Sequence, residues 1–138
     1  MEIRVIDTNY NNPFLNMAID EALLISKLPV LRFYQWKPST VSIGYFQSMN
    51  NEINITQCKK LGIGYVRRLT GGKAVFHDME LTYSFIIDQH IMPKTILESY
   101  KKISEAIIEG LLELGLNATM KTENIQKIES SNCCRRRI

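Results

Sequence analysis

The chain has 138 residues, enough for one domain with a core of its own. Its 45% hydrophobic and 22% charged residues are those of a soluble globular protein. The net charge of +3 falls to about zero without Arg135, Arg136 and Arg137, so the body makes no electrostatic case for nucleic acid.

No apolar run approaches the roughly 18 residues that span a membrane. Met1-Glu2-Ile3-Arg4 lacks the basic start and apolar block of a signal peptide. A cytoplasmic protein is expected. The three cysteines, Cys58, Cys133 and Cys134, are too few and too unevenly placed for a disulfide framework. Cys133 and Cys134 are adjacent, whereas zinc pairs are spaced by two or more residues, so no metal site is expected.

Read in order, Glu2 to Asp7 alternates and is rich in β-formers, which predicts a short strand. Thr8 to Pro13, with Asn9, Asn11 and Asn12, is turn chemistry. Phe14 to Lys27 is a helix whose wide apolar face takes in Leu15, Met17, Ala18, Ile19, Ala22, Leu24 and Ile25. Asp20 and Glu21 then fall on a solvated face. Pro29 stops the helix. Val30 to Trp36 and Thr40 to Tyr45 are strands around a Lys37-Pro38-Ser39 turn, and they predict a hairpin. Asn51 to Leu61 reads as a short helix capped by Asn54 or Thr56 and closed by Gly62 and Gly64. Cys58 within it is a small core residue. Ile63 to Arg68, Ala74 to His77 and Leu81 to Asp88 read as strands. The longest helix runs from Thr95 to Leu114, with apolar residues recurring at three and four positions and Gly115 as its cap. Leu116 to Thr119 reads as the start of another strand. Residues 121–138 form a polar, irregular tail. There is no repeat and no second domain.

One stretch carries the chemistry: Arg67-Arg68-Leu69-Thr70-Gly71-Gly72-Lys73-Ala74-Val75-Phe76-His77-Asp78, continuing to Glu80-Leu81-Thr82-Tyr83-Ser84. Gly71 and Gly72 permit positive φ and let a ligand approach the backbone. Adjacent N–H groups in such a turn can form an anion-binding concavity. Lys73 adds a point charge, and Arg67 and Arg68 add fork-shaped donors. The same glycine pair between two apolar runs is also an ordinary hairpin signal, and His77 after an apolar run suits a structural histidine. On the residues alone both readings stay open.

As a unit, the string resembles the signature of the biotin/lipoate A/B protein ligase family. Two further segments resemble it in the same order: Asn16 to Leu23, and Leu31 to Gln47 with its aromatics Phe33, Tyr34, Trp36, Tyr45 and Phe46. The resemblance covers Asp7 to about Leu114 and is nearest to the octanoyltransferase branch. It implies an α/β (α+β) fold, a mixed or antiparallel sheet flanked by helices, as one catalytic domain over residues 1–138. It implies substrate binding by Arg67, Arg68, Thr70, Gly71, Gly72, Lys73, Ala74, His77 and Asp78. The aromatics would line an acyl tunnel, although strand aromatics alone read as core.

The activity implied is transfer of an octanoyl group from acyl carrier protein to a lipoyl-domain lysine, typically on the glycine-cleavage H protein. It runs through a cysteine thioester and needs no cofactor. Cys133, after Ser130-Ser131-Asn132, stands in the order of the family nucleophile, and Cys134 stands where Phe is expected. The family then carries a strand with a Gly-x-Lys pattern, whereas this sequence ends Cys-Arg-Arg-Arg-Ile. The reading is therefore of a fold incomplete at its C-terminus. Two alternatives accompany it: an ATP- and Mg-dependent lipoate–protein ligase, and an inactive fragment or accessory subunit.

Overall fold

The structure is a computed structural model that describes residues 2–26 and 28–120; these fall into two units, 2–88 and 89–120. In the first unit β1 (Arg4–Asn11) leads into α1 (Pro13–Ser26), β2 (Val30–Trp36) and β3 (Thr40–Ile43). Two short helices follow, α2 (Met49–Glu52) and α3 (Ile55–Lys60), then β4 (Gly64–Arg67), β5 (Val75–His77) and β6 (Thr82–Ile86). The strands form two three-stranded mixed sheets, β1-β2-β6 and β4-β3-β5. β2 is parallel to β1 and antiparallel to β6, with Phe33 opposite Tyr83. β3 is parallel to β4 and antiparallel to β5, with Ser42 opposite both Val66 and Val75.

The hairpin expected over β2 and β3, and the one left open at the glycine pair, are both absent. β2 and β3 lie in different sheets, because the chain crosses from one to the other through the Lys37–Pro38 turn, whose peptide is cis. β4 and β5 do not pair either; β3 lies between them. The chain crosses sheets again between β5 and β6. Ser39 Oγ donates to Asp78 Oδ1 at 2.7 Å and ties the two crossings together.

The asparagine-rich segment does not end β1. The register shifts between Asp7 and Tyr10, and Asn9 sits at φ 52°. Asp7 Oδ1 accepts from the Asn9 N–H at 2.8 Å, so the turn chemistry becomes a bulge and the strand runs on. Pro13 then opens α1, where its missing N–H costs nothing, and Asn12 Oδ1 caps the Leu15 N–H at 2.9 Å.

Of the expected apolar face of α1, Met17 meets the core, but the fully buried residues of the helix lie elsewhere. Pro13 and Asn16 are its buried residues, while Leu15, Leu24 and Ile25 are exposed. The reason is Arg32 on β2, which is 0% exposed. Its Nη1 donates to Asp20 Oδ1 at 2.6 Å and to the Asn16 carbonyl at 2.9 Å; its Nη2 donates to Asn16 Oδ1 at 2.6 Å, and its Nε to Thr8 Oγ1 at 3.0 Å. Ser84 of β6 also donates to Asp20, at 2.8 Å. Asp20 is thus the counter-ion of a buried cation, not part of a solvated face. Glu21 is exposed, as expected.

Tyr34, Trp36 and Val66 form the apolar core, with Met17 against them. Every residue of β3 is buried, which follows from a central strand flanked on both sides. The helix expected over 51–61 is divided at Ile53 and Asn54. Asn54 caps α3 by accepting from the Gln57 N–H at 3.1 Å, and Cys58 is buried within α3.

In the second unit, α4 (Ile96–Glu113) begins at a Thr95 N-cap. Thr95 Oγ1 accepts from the Glu98 N–H at 3.2 Å and donates to the Glu98 carboxylate at 2.7 Å. Gly115, at φ +79°, ends it, and the Leu116 N–H reaches back to the Leu111 carbonyl at 2.9 Å. Residues 116–119 form no strand. The tail at 121–138, with Cys133 and Cys134, lies outside the described residues.

Candidate functional site: a clamped glycine crossover

The pairing β4-β3-β5 dictates where the glycines go. β4 runs parallel to β3 and β5 returns antiparallel, so the link between them must pass over the C-terminal end of β3. Gly44 stands at that end. A Cβ on Gly44 would lie 2.0 Å from the Gly72 carbonyl oxygen, so the two backbones meet where no side chain fits. The Tyr45 N–H donates to the Thr70 carbonyl at 2.9 Å and the Arg68 N–H to the Ile43 carbonyl at 3.0 Å. Only Gly72 of the glycine pair uses a positive φ, +100°; Gly71 does not.

The two arginines hold the loops on either side of this contact. Arg67 Nη1 donates to the carbonyls of Gly44, Tyr45 and Gln47 at 3.2, 2.6 and 2.6 Å. Gln47 Oε1 in turn accepts from the Gly44 N–H at 2.9 Å. Arg68 works on the other loop: its Nη2 donates to the carbonyls of Gly71 and Lys73 at 2.9 and 2.8 Å. Its Nη1 reaches the Ser42 carbonyl at 3.2 Å and the Ser42 hydroxyl at 3.3 Å. Burial lowers the Arg68 pKa from its ordinary value, but a guanidinium stays charged in proteins.

His77 closes the site from below. Its Nε2 lies 2.7 Å from Ser42 Oγ and its Nδ1 lies 2.5 Å from Glu80 Oε1. Glu80 Oε1 also accepts from Thr82 Oγ1 at 2.8 Å, and Thr82 Oγ1 accepts from Trp36 Nε1 at 2.8 Å. The Trp36 indole stacks on the imidazole at 4.4 Å and 17°. Ser42 is 1% exposed and His77 8%.

Nine residues were expected to form a binding site. Arg67, Arg68, Thr70, Gly71, Gly72 and Lys73 meet at the crossover; Ala74 is half-buried beside it. His77 is linked to them through Ser42 and Arg68. Asp78 is exposed and engages Ser39 at the second sheet crossing instead. The aromatics divide. Tyr34 and Trp36 are core, while Tyr45 and Phe46 are 53% and 89% exposed on the clamped loop, edge to face at 5.1 Å. Sequence reasoning gave no role to Gly44, Ser42 or Glu80. Gly44 had a usable signal, a lone glycine closing an apolar strand. Ser42 and Glu80 had none, since both look like ordinary polar residues. The described residues hold no group of three or more His, Cys, Asp or Glu able to bind a metal.

This α/β arrangement has the architecture of lipoate ligases. It is similar to the bi-partite lipoate protein ligase of an archaeal lipoylation system from Thermoplasma acidophilum, with a TM-score of 0.78 and 34% identity over 88% of this chain and 49% of that one. Residues 12–130 match the family model described as the lipoyl protein ligase A/B catalytic domain, and the chain belongs to that family. It is 51% identical over 122 residues to an octanoyltransferase LipM of Geobacillus kaustophilus, covering 83% of this chain and 44% of the relative. It is 46% identical over 135 residues to that of Bacillus subtilis, covering 93% and 49%. The chain spans about half the length of these relatives.

Proposed function

We propose that this chain serves octanoyl transfer in protein lipoylation, as part of one cytoplasmic catalytic domain. The observation that carries the reading is identity near one half to an octanoyltransferase over 93% of this chain, a span that must include the clamped crossover. The crossover suits the task. Thr70 to Lys73 and Gly44 to Gln47 present backbone at close range, with Tyr45 and Phe46 as apolar surface for an acyl chain. Arg67 and Arg68 keep the two loops in register. His77 and Asp78 fix the strand and the crossing beneath.

The chemistry balances without ATP. The Cys133 thiolate attacks the carbonyl of an octanoyl thioester on acyl carrier protein. A carbon–sulfur bond forms to Cys133, the one to the carrier breaks, and the carrier thiol leaves as thiolate. This exchange of one thioester for another is nearly isoenergetic. A lysine amine of a lipoyl domain, such as the glycine-cleavage H protein, then attacks the Cys133 thioester. An amide forms, and the Cys133 thiolate leaves and accepts the amine proton. Backbone N–H groups and a lysine would hold the oxyanion.

A second reading is favoured by the archaeal neighbour, a bi-partite lipoate protein ligase. Here the chain acts with a second polypeptide that supplies the family's lysine strand. Octanoyl-acyl carrier protein, lipoyl-free H protein and the purified chain, without ATP, separate the readings. The expected result is slow octanoylation that Cys133→Ala abolishes and that the C-terminal half of the Bacillus subtilis relative accelerates when added. No transfer under either condition, with modification only from free lipoate and ATP, would replace the transferase by a ligase.

A further inference from the structure

Ser42, His77 and Glu80 reproduce the hydrogen-bond order of a serine hydrolase triad. Burial argues against that use: Ser42 is 1% exposed, on a strand covered on both sides, and its hydroxyl also meets Arg68 Nη1. A donor inventory gives the group a different sense. The Trp36 indole N–H can only donate, so the Thr82 hydroxyl accepts from it and donates to Glu80. Arg68 can only donate, so Ser42 accepts from it, with its own proton and a second lone pair still to place. The Glu80 carboxylate can only accept, so His77 carries a proton on Nδ1 and donates it there, and in the neutral ring Nε2 accepts from the Ser42 hydroxyl. Two lines of hydrogen bonds end on one carboxylate oxygen.

We infer that Glu80 is a positioning residue for the glycine crossover, acting through the tautomer of His77. A proton held on Nδ1 leaves Nε2 as an acceptor. The Ser42 hydroxyl turns toward it and offers its lone pair to Arg68. Arg68 is thereby set so that its Nη2 takes the carbonyls of Gly71 and Lys73. Trp36 keeps the imidazole plane fixed by stacking. Without Glu80, Nε2–H is equally available to the ring, and the buried Ser42 hydroxyl proton then loses its acceptor and must turn elsewhere, which disturbs the Arg68 contact on the same oxygen. The inference rests on the proposed acyl-handling role only for what the positioned crossover does; the positioning is read with no substrate present.

The test uses the whole chain labelled with nitrogen-15. Imidazole nitrogen shifts report the His77 tautomer. Exchange of the Tyr45 amide, whose N–H is bonded to Thr70 across the loops, reports the crossover. The wild type is expected to carry the Nδ1 proton and a protected Tyr45 amide. Glu80→Ala should shift the ring toward the Nε2 tautomer and speed Tyr45 exchange about tenfold, with the β2 amides unchanged. Glu80→Gln, whose carbonyl can still accept from Nδ1, should fall between the two and covers the case in which the alanine variant does not fold. An unchanged Tyr45 amide in both variants would overturn the inference. So would equal acceleration in β2, which would make Glu80 a general stabiliser, or an Nε2 proton in the wild type. None of these readouts depends on octanoyl transfer.

Discussion

Three glycines at the crossover illustrate how differently one residue type can be constrained. Gly44 faces a backbone oxygen that cannot easily withdraw, since the carbonyls on either side of Gly72, those of Gly71 and Lys73, are both held by Arg68. Gly44→Ala should cost about 3 kcal/mol or more in urea unfolding, as overpacking against fixed backbone does. Gly72→Ala adds left-handed strain of about 1–2 kcal/mol and a contact with Arg68 Nη2 at 2.8 Å. Gly71→Ala has open space around it and no positive φ, so it should change stability little. The Gly-Gly pair was visible in the sequence; which member mattered was not, because the decisive contact comes from Gly44, 28 positions before Gly72. The buried Arg32 makes a second residue-scale prediction. Asp20→Ala leaves its charge with only neutral partners and should cost about 3–5 kcal/mol. Tyr34 gives a pH dependence. Burial first, and the neighbouring Asp20 second, push its phenol above the ordinary tyrosine value. Above about pH 10 the unfolded tyrosine ionises while the folded one does not, so stability falls as pH rises through that range. Tyr34→Phe should flatten this alkaline loss relative to wild type.

Elements were legible wherever local chemistry decided them. Asn54, one of the two residues read as the cap of α3, is its cap, and Gly115 ends α4 where it was read to. Asn54→Ala should lower stability by about 1 kcal/mol in the same unfolding assay. Legibility failed where a distant partner won. The apolar periodicity of α1 placed Met17 correctly but not Leu15, Leu24 and Ile25, because the seam with the sheet is built around Arg32, a residue whose burial no local pattern announces. The hairpins failed for a topological reason. A tight turn predicts pairing of its flanking strands, yet β3 lies between β4 and β5, and β2 and β3 sit in separate sheets. The asparagines of β1 were read correctly as turn formers, but a bulge absorbs a turn residue without ending the strand.

At the scale of the whole molecule, the signature string and its order along the chain were enough to reach the family, and the match over residues 12–130 agrees. The string did not disclose how the site is put together: two arginines that read as ligand donors have their guanidinium groups on backbone carbonyls of two facing loops. That sharing of work, arginines holding backbone and backbone facing the ligand, is the form in which the crossover would serve an acyl group. No helix among the described residues is long and apolar enough to cross a membrane. The candidate nucleophile, Cys133, lies in the segment outside those residues, so its role depends on chemistry and not on geometry. The most direct measurement is the intact mass of the purified chain after incubation with octanoyl-acyl carrier protein in the absence of ATP. The account predicts a single octanoyl adduct, removed by hydroxylamine, mapping to Cys133 and missing from Cys133→Ala. No adduct, or one that persists in Cys133→Ala, would contradict it.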